Sequence, residues 1–227
     1  MSETLSESDS KALLSPYGIP FAPEVILTGP GEAPSAGETF GYPVAAKLCG
    51  DNIAHKTERG LVRLGLSSPE ELTDAVEELL AAALPEDGAT GVLVAPMIAG
   101  ERELIAGIAT DPTFGPTVLV GLGGVLAEAV EDVTVRLVPI AEMDAREMIE
   151  ELRSQALLGA FRGEPPVDRD ALVALLMGLS TAAGDDHGGS RITSADLNPL
   201  IIRDGQPVAV DALVELTGTS EPAGTAP

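Results

Sequence analysis

Four strand candidates follow one another in the middle of the sequence, and this run most constrains the possible folds. They cover residues 91–97, 101–110, 117–120 and 133–138. Each candidate is either apolar throughout or alternates polar and apolar residues, and glycine- and proline-containing turns separate them. Helical patterns occur elsewhere, so strands and helices mix without strict βαβ alternation. The sequence therefore predicts the α+β fold class, with largely antiparallel sheets in two lobes.

The clearest helix prediction covers residues 69–84, with Ser67 or Ser68 as its N-cap. Apolar periodicity predicts further helices over residues 141–152 and 168–183. The domain prediction is a flexible tail, two lobes joined by a hinge near residues 96–100, and a disordered tail. The N-terminal tail covers residues 1–7, the two lobes cover residues 8–96 and 97–216, and the C-terminal tail covers residues 217–227.

The charge of the chain excludes several classes of partner. Its 36 acidic and 13 basic residues give a net charge of −23. A strongly acidic surface is unsuited to nucleic acid or to an anionic membrane. Two interpretations stay open, a surface that simply keeps the protein soluble and an adaptation to a high-salt cytoplasm. Equal stability in low and molar salt would remove the second.

Features of a secreted or membrane protein are absent from the sequence. The chain has one cysteine, Cys49, so it cannot form an intramolecular disulfide. No apolar run approaches the roughly 18 residues of a membrane span, and the acidic N-terminus does not resemble a signal peptide. We therefore expect a cytoplasmic protein.

The scarce cationic and titratable groups collect in residues 43–62. The chain has only three lysines and two histidines, and this stretch contains Lys47, Lys56 and His55. Such a concentration in an acidic protein predicts a site for an anion. Lys47 lies near the end of an apolar strand candidate, where it is either a snorkelling surface residue or a phosphate ligand.

A glycine-rich turn, Gly121-Leu122-Gly123-Gly124, is a second candidate for phosphate binding. Glycines allow backbone N–H groups to approach phosphate oxygens. The turn matches neither a Walker loop nor G-x-G-x-x-G. On its own it is better explained as a tight turn between strands.

Hard oxygen ligands occur near the end of the chain. A hairpin is predicted from residues 192–202 and 206–211, turning at Asp204-Gly205. Asp196 and Asn198 point to one face of its first strand, and pairing brings Asp211 near them. Two carboxylates and an amide suit Mg²⁺, which takes few protein ligands when nucleotide phosphates complete its shell. The alternative is ordinary turn chemistry at Asn198-Pro199.

His55 has two possible roles. It is either a loop histidine bonded to a backbone carbonyl or a nucleophile that accepts a phosphoryl group. A zinc site is excluded, because Cys49 is alone and His187 belongs to a separate glycine-rich loop.

Read in order, these segments resemble a known family. The motifs are His-Lys-Thr-Glu-x-Gly, Val-Leu-Val-x-Pro-Met, Asp-Pro-x-Phe-Gly-Pro-x-x-x-x-Gly-Leu-Gly-Gly, Asp-x-Asn-Pro-Leu and Val-Asp-Ala. They are similar to those of the ATP-grasp β subunits of ADP-forming acyl-CoA synthetases of the acetate–CoA ligase type, relatives of succinyl-CoA synthetase β subunits. The resemblance runs from Ser8 to Leu216. It implies an ATP-grasp fold whose two lobes clamp ATP or ADP with Mg²⁺.

The resemblance also implies roles for individual residues. His55 would relay a phosphoryl group between a histidine of a partner subunit and the nucleotide. The cofactor-binding residues implied are Lys47, Pro96, Met97, Ile98, Glu101, Gly123, Gly124 and Arg136. The metal-binding residues implied are Asp196, Asn198 and Asp211. The reaction implied is acyl-CoA + ADP + phosphate ⇌ carboxylic acid + CoA + ATP.

Two departures from the family pattern affect this interpretation. The family usually has Asp and a second Gly where this chain has Glu58 and Leu61, and Leu61 restricts the backbone. The chain also lacks a CoA-binding domain, which implies a separate α subunit in an α₂β₂-type assembly. Alternatives are a succinyl-type or other carboxylate–CoA ligase β subunit, which His55 disfavours, and a non-catalytic nucleotide-binding regulatory subunit.

Overall fold

The computed structural model describes residues 2–53, 56–124 and 130–217. The strands are β1 (Ser2–Thr4), β2 (Val25–Leu27), β3 (Val44–Gly50), β4 (Val62–Leu66), β5 (Ala89–Pro96), β6 (Arg102–Asp111), β7 (Gly115–Leu122), β8 (Val133–Leu137), β9 (Ile192–Arg203), β10 (Gln206–Ala209) and β11 (Leu213–Thr217). The helices are α1 (Glu7–Leu14), α2 (Ala33–Phe40), α3 (Pro69–Ala81), α4 (Glu142–Glu151), α5 (Gln155–Leu158) and α6 (Arg169–Gly184).

The strands form two antiparallel sheets. The larger has the order β1-β11-β9-β6-β7-β8, with β10 paired to β9, and the smaller has the order β2-β5-β3-β4. Each pairing between these strands is antiparallel. The four strand candidates of the central run correspond to β5, β6, β7 and β8. Because β5 belongs to the small sheet and β6 to the large one, residues 97–101 connect the two sheets.

Each sheet is covered by helices through its own core. The large core joins Leu104, Val118 and Leu200 of the sheet to Met148 of α4 and Leu176 of α6. The small core places the apolar face of α3 against β3 and β5; it includes Leu48, Leu72, Val76, Leu79 and Val92. Each such side chain contributes about 1.5–3 kcal/mol when fully buried. Aliphatic side chains therefore form most of both cores.

Helix α3 confirms the clearest helix prediction, although it ends at Ala81 rather than residue 84. The Ser68 side chain caps it by accepting a hydrogen bond from the Glu71 N–H. Its buried face consists of Leu72, Ala75, Val76 and Leu79, at the spacing of one helix face.

The N-terminal segment differs from the predicted flexible tail over residues 1–7. Strand β1 pairs with β11, with Ser2 opposite Thr217. Ser6 caps α1 through the Asp9 N–H, and Leu14 packs in the large core. The first residues therefore belong with the large sheet, and the small-sheet lobe begins well after residue 8. The pairing joins the two ends of the chain, so no local pattern indicates it.

At the other end, Thr217 belongs to β11, although the predicted disordered tail began with it. The rest of that predicted tail, residues 218–227, lies outside the described residues.

The predicted hairpin near the C-terminus is confirmed. Strands β9 and β10 pair with Arg203 opposite Gln206, on either side of the Asp204-Gly205 turn. Both turn residues have positive φ, 51° and 82°, as a tight hairpin requires. The chain then returns in β11, which places Leu213 opposite Asp196.

A search of the described residues for a helix long and apolar enough to cross a membrane found none.

Candidate functional site

Lys47 is held in the middle of a fully buried strand, β3. Its ammonium Nζ donates to Glu7 Oε1 at 2.8 Å, to the Val210 carbonyl oxygen at 3.0 Å and to Asp211 Oδ2 at 3.1 Å. An ammonium group has three N–H donors, so these three acceptors use all of them. Burial opposes the charge, but Glu7 and Asp211 outweigh burial and raise the pKa of Lys47. The lysine is therefore a fixed cation rather than a snorkelling surface residue.

Glu7 joins all three lysines of the chain into what we call the lysine cluster, consisting of Glu7, Lys11, Lys47 and Lys56. Besides Lys47, its carboxylate accepts from Lys11 Nζ at 2.8 Å and from Lys56 Nζ at 2.5 Å. The Glu7 side chain has no exposed surface. Burial alone would raise the pKa of Glu7, but the charges of Lys47, Lys11 and Lys56 hold it well below its usual range. The carboxylate is thus ionised in the folded protein.

The sequence analysis missed Glu7 because it assigned residues 1–7 to a tail. One local signal was present, since Glu7 and Lys11 have the i, i+4 spacing of a helical ion pair. The contacts with Lys47 and Lys56 depend on the packing of α1 between the two sheets, and no spacing in the sequence indicates them.

An acidic cavity of about 250 Å³ lies beside this cluster. Its lining residues are Ile53, Lys56, Thr57, Glu58, Asp196, Asn198, Asp211, Ala212 and Leu213. Asp196 and Asn198 lie on one face of β9, whereas Ala195 and Leu197 are buried in the large core on the other face. The prediction that Asp196, Asn198 and Asp211 meet is therefore confirmed. Lys47 reaches the cavity through its contact with Asp211.

The folded protein raises the pKa of both aspartates that line the acidic cavity. Desolvation and the neighbouring charge of Asp211 raise the pKa of Asp196, although a hydrogen bond from Asn198 opposes the shift. Burial and the charge of Glu7 raise the pKa of Asp211, although Lys47 and Lys56 lower it. A divalent cation between the carboxylates would relieve this cost.

This donor set fits Mg²⁺. Asp196, Asn198 and Asp211 offer carboxylate and amide oxygens, the ligands that Mg²⁺ prefers. In the described part of the chain, no group of three or more His, Cys, Asp or Glu side chains could hold a metal ion. A site with so few protein ligands suits an ion whose remaining positions are filled by phosphate oxygens and water.

His55 lies outside the described residues, but residues on both sides of it make specific contacts. Ile53 and Lys56 both line the acidic cavity. After the histidine, the Leu61 N–H donates to the Lys56 carbonyl at 2.8 Å. The Arg59 guanidinium donates two parallel hydrogen bonds, of 2.7 and 2.9 Å, to the Asp87 carboxylate.

Leu61, which departs from the family pattern, fits without backbone strain. Its side chain is 2% exposed and packs in the small core. The described non-glycine residues with positive φ are Glu131, Arg162 and Asp204, so Leu61 does not need the conformation that glycine favours. The loop therefore uses Leu61 as a hydrophobic anchor.

The segment between the sheets contains Pro96, Met97 and Ile98. Pro96 ends β5, and the Met97 N–H donates to the Pro43 carbonyl at 3.1 Å. The Met97 side chain is partly exposed. This segment passes from one sheet to the other, as a hinge would.

Glu101, Gly123 and Gly124 lie in a second cavity of about 300 Å³, which we call the apolar cavity. Its other lining residues are Arg102, Glu103, Leu104, Leu122, Leu157, Leu158, Val167 and Ile202. A Cβ on Gly123 would lie 2.9 Å from the backbone of Leu104, so glycine permits close packing against β6. The structure does not bring these glycines to the acidic cavity.

Arg136 also lies away from the acidic cavity. It lies on β8 at the edge of the large sheet, and its guanidinium is 2.6 Å from Glu151 Oε1. It lines a surface pocket with Phe114 and Val135 instead of the acidic cavity. The physical reason is the strand order, because β6 and β7 separate β8 from β9.

Comparison with known proteins gives consistent results. A family model described as an ATP-grasp domain matches residues 1–216. The subunit β of ADP-forming acetate–CoA ligase II from Pyrococcus furiosus is 40% identical over 219 residues, covering 93% of this chain and 91% of the relative.

Solved structures agree with this match. The dinucleotide-forming acetyl-coenzyme A synthetase 1 of Ca. Korarchaeum cryptofilum, in complex with coenzyme A, Ca-AMPCP and HgCl+, has a TM-score of 0.86 at 34% identity, covering 95% of this chain and 94% of that one. A structure of the same enzyme with coenzyme A and Mg-AMPPCP has its phosphohistidine segment pointing towards the nucleotide-binding site. Its TM-score is 0.77 at 34% identity, covering 93% and 92% of the two chains.

The chain is an ATP-grasp domain, the class indicated by two antiparallel sheets that contribute to one charged cavity. The resemblance noted from the motifs is thereby confirmed. Within this class, the chain belongs to the family of β subunits of ADP-forming acetate–CoA ligases.

Proposed function

We propose that this chain is the nucleotide-binding β subunit of an ADP-forming acetate–CoA ligase and that it passes a phosphoryl group between ADP and a histidine relay. One observation carries the proposal. Lys56, Asp196, Asn198 and Asp211 line one cavity, and Lys47 Nζ lies 3.1 Å from Asp211. Cations for phosphate and oxygen ligands for a metal thus meet at a single place between the sheets.

The polar residues of the site have two roles, phosphate binding and metal binding. Lys47 and Lys56 neutralise the phosphates as fixed cations. Asp196, Asn198 and Asp211 would hold Mg²⁺, which would offset the negative charge of the phosphates. Phosphoryl transfer requires mostly positioning and charge neutralisation, and these residues supply both.

The hinge segment is assigned to the base of the nucleotide. Pro96, Met97 and Ile98 face adenine, with Glu101 at the end of the segment. Gly123 and Gly124 line the apolar cavity together with Glu101. We therefore assign them to the end of the nucleotide that carries the base. Arg136 does not bind the nucleotide in this proposal, because it forms an ion pair with Glu151 at the edge of the large sheet.

His55 is the relay in this proposal. The described residues on either side of it, Ile53 and Lys56, line the acidic cavity, and this observation supports the relay role. In the direction of ATP synthesis, the nitrogen–phosphorus bond of phosphorylated His55 breaks. A terminal oxygen of ADP forms the new bond to phosphorus, and the electron pair returns to the ring nitrogen.

A partner completes the reaction. In this proposal a CoA-binding α subunit converts acyl-CoA and phosphate to the acid and CoA, and its own histidine delivers the phosphoryl group to His55. The relative from P. furiosus is itself called a subunit β. We propose a hetero-oligomer of the α₂β₂ type.

The nucleotide role is tested by binding of Mg·ADP to the full chain. Lys47→Met should weaken binding at least tenfold, because a buried phosphate ligand is lost. Lys11→Met is the matched control, since it removes the same charge from the same cluster but contacts Glu7, Glu24 and Val210 instead of cavity residues. Equal loss in both variants would contradict the role of Lys47.

The activity is tested by mixing the chain with its α partner, acetyl-CoA, ADP, phosphate and Mg²⁺ and measuring ATP. ATP synthesis is expected. Tight nucleotide binding without turnover by any partner would favour a regulatory subunit. Turnover with succinyl-CoA in place of acetyl-CoA would favour the succinyl type.

A further inference from the structure

Among the described residues, Glu7 is the one carboxylate that contacts all three lysines, and the proposed reaction leaves it without a role. Its side chain is fully buried, and it is not among the described residues that line the acidic cavity. A buried carboxylate is costly unless it is paired. Because Glu7 contacts two proposed phosphate ligands, we expect it to have a role at the site in addition to stabilising the fold.

The contacts of Lys47 fall into two kinds. Glu7 and the Val210 carbonyl hold the ammonium group from the protein interior, at 2.8 and 3.0 Å. Asp211 contacts it from the cavity, and its side chain is 35% exposed. Since all three N–H donors are in use, a phosphate oxygen can bind Lys47 only by replacing one acceptor. Asp211 is the acceptor that an incoming ligand can reach.

Glu7 is carried by the large-sheet part of the molecule. It is the first residue of α1, which is fixed through a hydrogen bond from the Val214 N–H of β11 to Ser10 Oγ at 3.0 Å. Lys47 lies on the small sheet, and Lys56 lies in the loop that leaves it. The Glu7 carboxylate therefore links Lys47 and Lys56, which belong to the small sheet and its loop, to helix α1, which packs on the large sheet.

We propose that Glu7 is a positioning residue that holds the Lys47 and Lys56 ammonium groups at the wall of the acidic cavity from its buried side. On nucleotide binding, Asp211 releases Lys47 and would then be free to hold Mg²⁺, and the freed N–H of Lys47 binds a phosphate oxygen. The Glu7 contact persists throughout. This inference rests on the proposed function, because it assigns the cavity to a metal–nucleotide complex.

A neutral amide in place of the carboxylate tests the proposal. Glu7→Gln presents one acceptor oxygen and one N–H₂ group to three ammonium groups, so at least one lysine loses its place. The Kd for Mg·ADP, measured by calorimetry on the full chain below its unfolding temperature, should rise at least tenfold. Glu24→Gln is the matched control. It removes a carboxylate 2.5 Å from Lys11 in the same network, and its Kd should stay within twofold of wild type.

Two results would overturn the proposal. A Glu7→Gln variant that binds Mg·ADP within twofold of wild type would show that Glu7 does not position the lysines. Tighter binding would show that Glu7 competes with phosphate. Failure of the wild-type chain to bind Mg·ADP would instead contradict the proposed function, so the two claims fail separately.

A measurement on the wild-type chain decides the proposal even if Glu7→Gln does not fold. Lysine-selective ¹⁵N labelling gives three side-chain ammonium signals, because the chain has three lysines, and Lys11→Arg identifies one of them. All three should be visible without nucleotide, since buried ion pairs slow proton exchange. Mg·ADP should shift the Lys47 and Lys56 signals and leave the Lys11 signal in place. Ammonium protons of Lys47 and Lys56 that exchange as rapidly as those of free lysine would overturn the proposal.

Discussion

Lys47 Nζ, on the small sheet, lies 3.1 Å from Oδ2 of Asp211, which lies two residues before β11 of the large sheet. One residue is a phosphate ligand in our account and the other a metal ligand, and without nucleotide they neutralise each other. A metal–nucleotide complex carries both complementary charges, so it can replace this ion pair without leaving either group unpaired. Metal and phosphate are therefore expected to bind together.

Asp211→Asn should weaken the dependence of nucleotide binding on the metal. The amide keeps an oxygen but loses the negative charge that attracts Mg²⁺. We expect the Mg²⁺ concentration that half-saturates ADP binding to rise at least tenfold in a calorimetric titration. Asp204→Asn removes one charge from the nearby hairpin turn, where asparagine tolerates positive φ. A similar shift in that control would show a general charge effect and contradict metal ligation by Asp211.

Leu61→Ala should destabilise the protein through the small core. Leu61 is 2% exposed, so its truncation leaves a cavity and should lower the free energy of unfolding by about 2–5 kcal/mol. Leu64, on the neighbouring β4, is 64% exposed, and Leu64→Ala should cost less than about 1 kcal/mol. Urea denaturation measures both. Equal costs would contradict the assignment of Leu61 as the anchor of the loop that carries His55.

The pair formed by Arg59 and Asp87 should give a pH-dependent contribution to stability. Hydrogen bonds from the Arg59 guanidinium and the Leu84 N–H hold the pKa of Asp87 below its ordinary value of 3.8. A carboxylate with a lowered folded-state pKa stabilises the protein above its unfolded-state pKa, and this contribution is lost as the pH falls through the folded-state value. The difference in unfolding midpoint between wild type and Arg59→Gln should thus be constant from about pH 7 to 5 and shrink below about pH 4.

The control for this prediction is Arg63→Gln. Arg63 is 3.2 Å from the exposed carboxylate of Glu78, a surface pair that contributes little to stability. Its midpoint should follow wild type at each pH. A difference between wild type and Arg59→Gln that persists unchanged below pH 3 would contradict the role of the Asp87 charge.

Local patterns were sufficient to predict much of this molecule. The Asp204-Gly205 turn fixes the register of the β9–β10 hairpin, and that hairpin carries Asp211 back towards Asp196 and Asn198. All three therefore converge within about fifteen residues of chain, and their meeting followed from the sequence. Capping and periodicity likewise sufficed for α3.

Long-range contacts were not predictable in this way. Glu7 meets Lys47 across 40 residues, and β1 pairs with the other end of the chain. Nothing in the composition of residues 1–7 distinguishes this segment from a tail. Gly123 and Gly124 were grouped with the phosphate ligands because glycines let backbone N–H groups approach phosphate, and Arg136 was grouped with them through resemblance alone. Strand order places them elsewhere, because β8 lies at the edge and the glycines pack against β6.

The central claim is that His55 carries the phosphoryl group, and phosphoprotein labelling tests it most directly. The full chain is incubated with its α partner, Mg²⁺ and γ-labelled ATP, and acid-labile, base-stable label on this chain is measured. Label is expected on wild type and on His187→Asn, which changes the other histidine of the chain, and none on His55→Asn, whose turnover should also collapse. Label or undiminished turnover in His55→Asn would contradict the account.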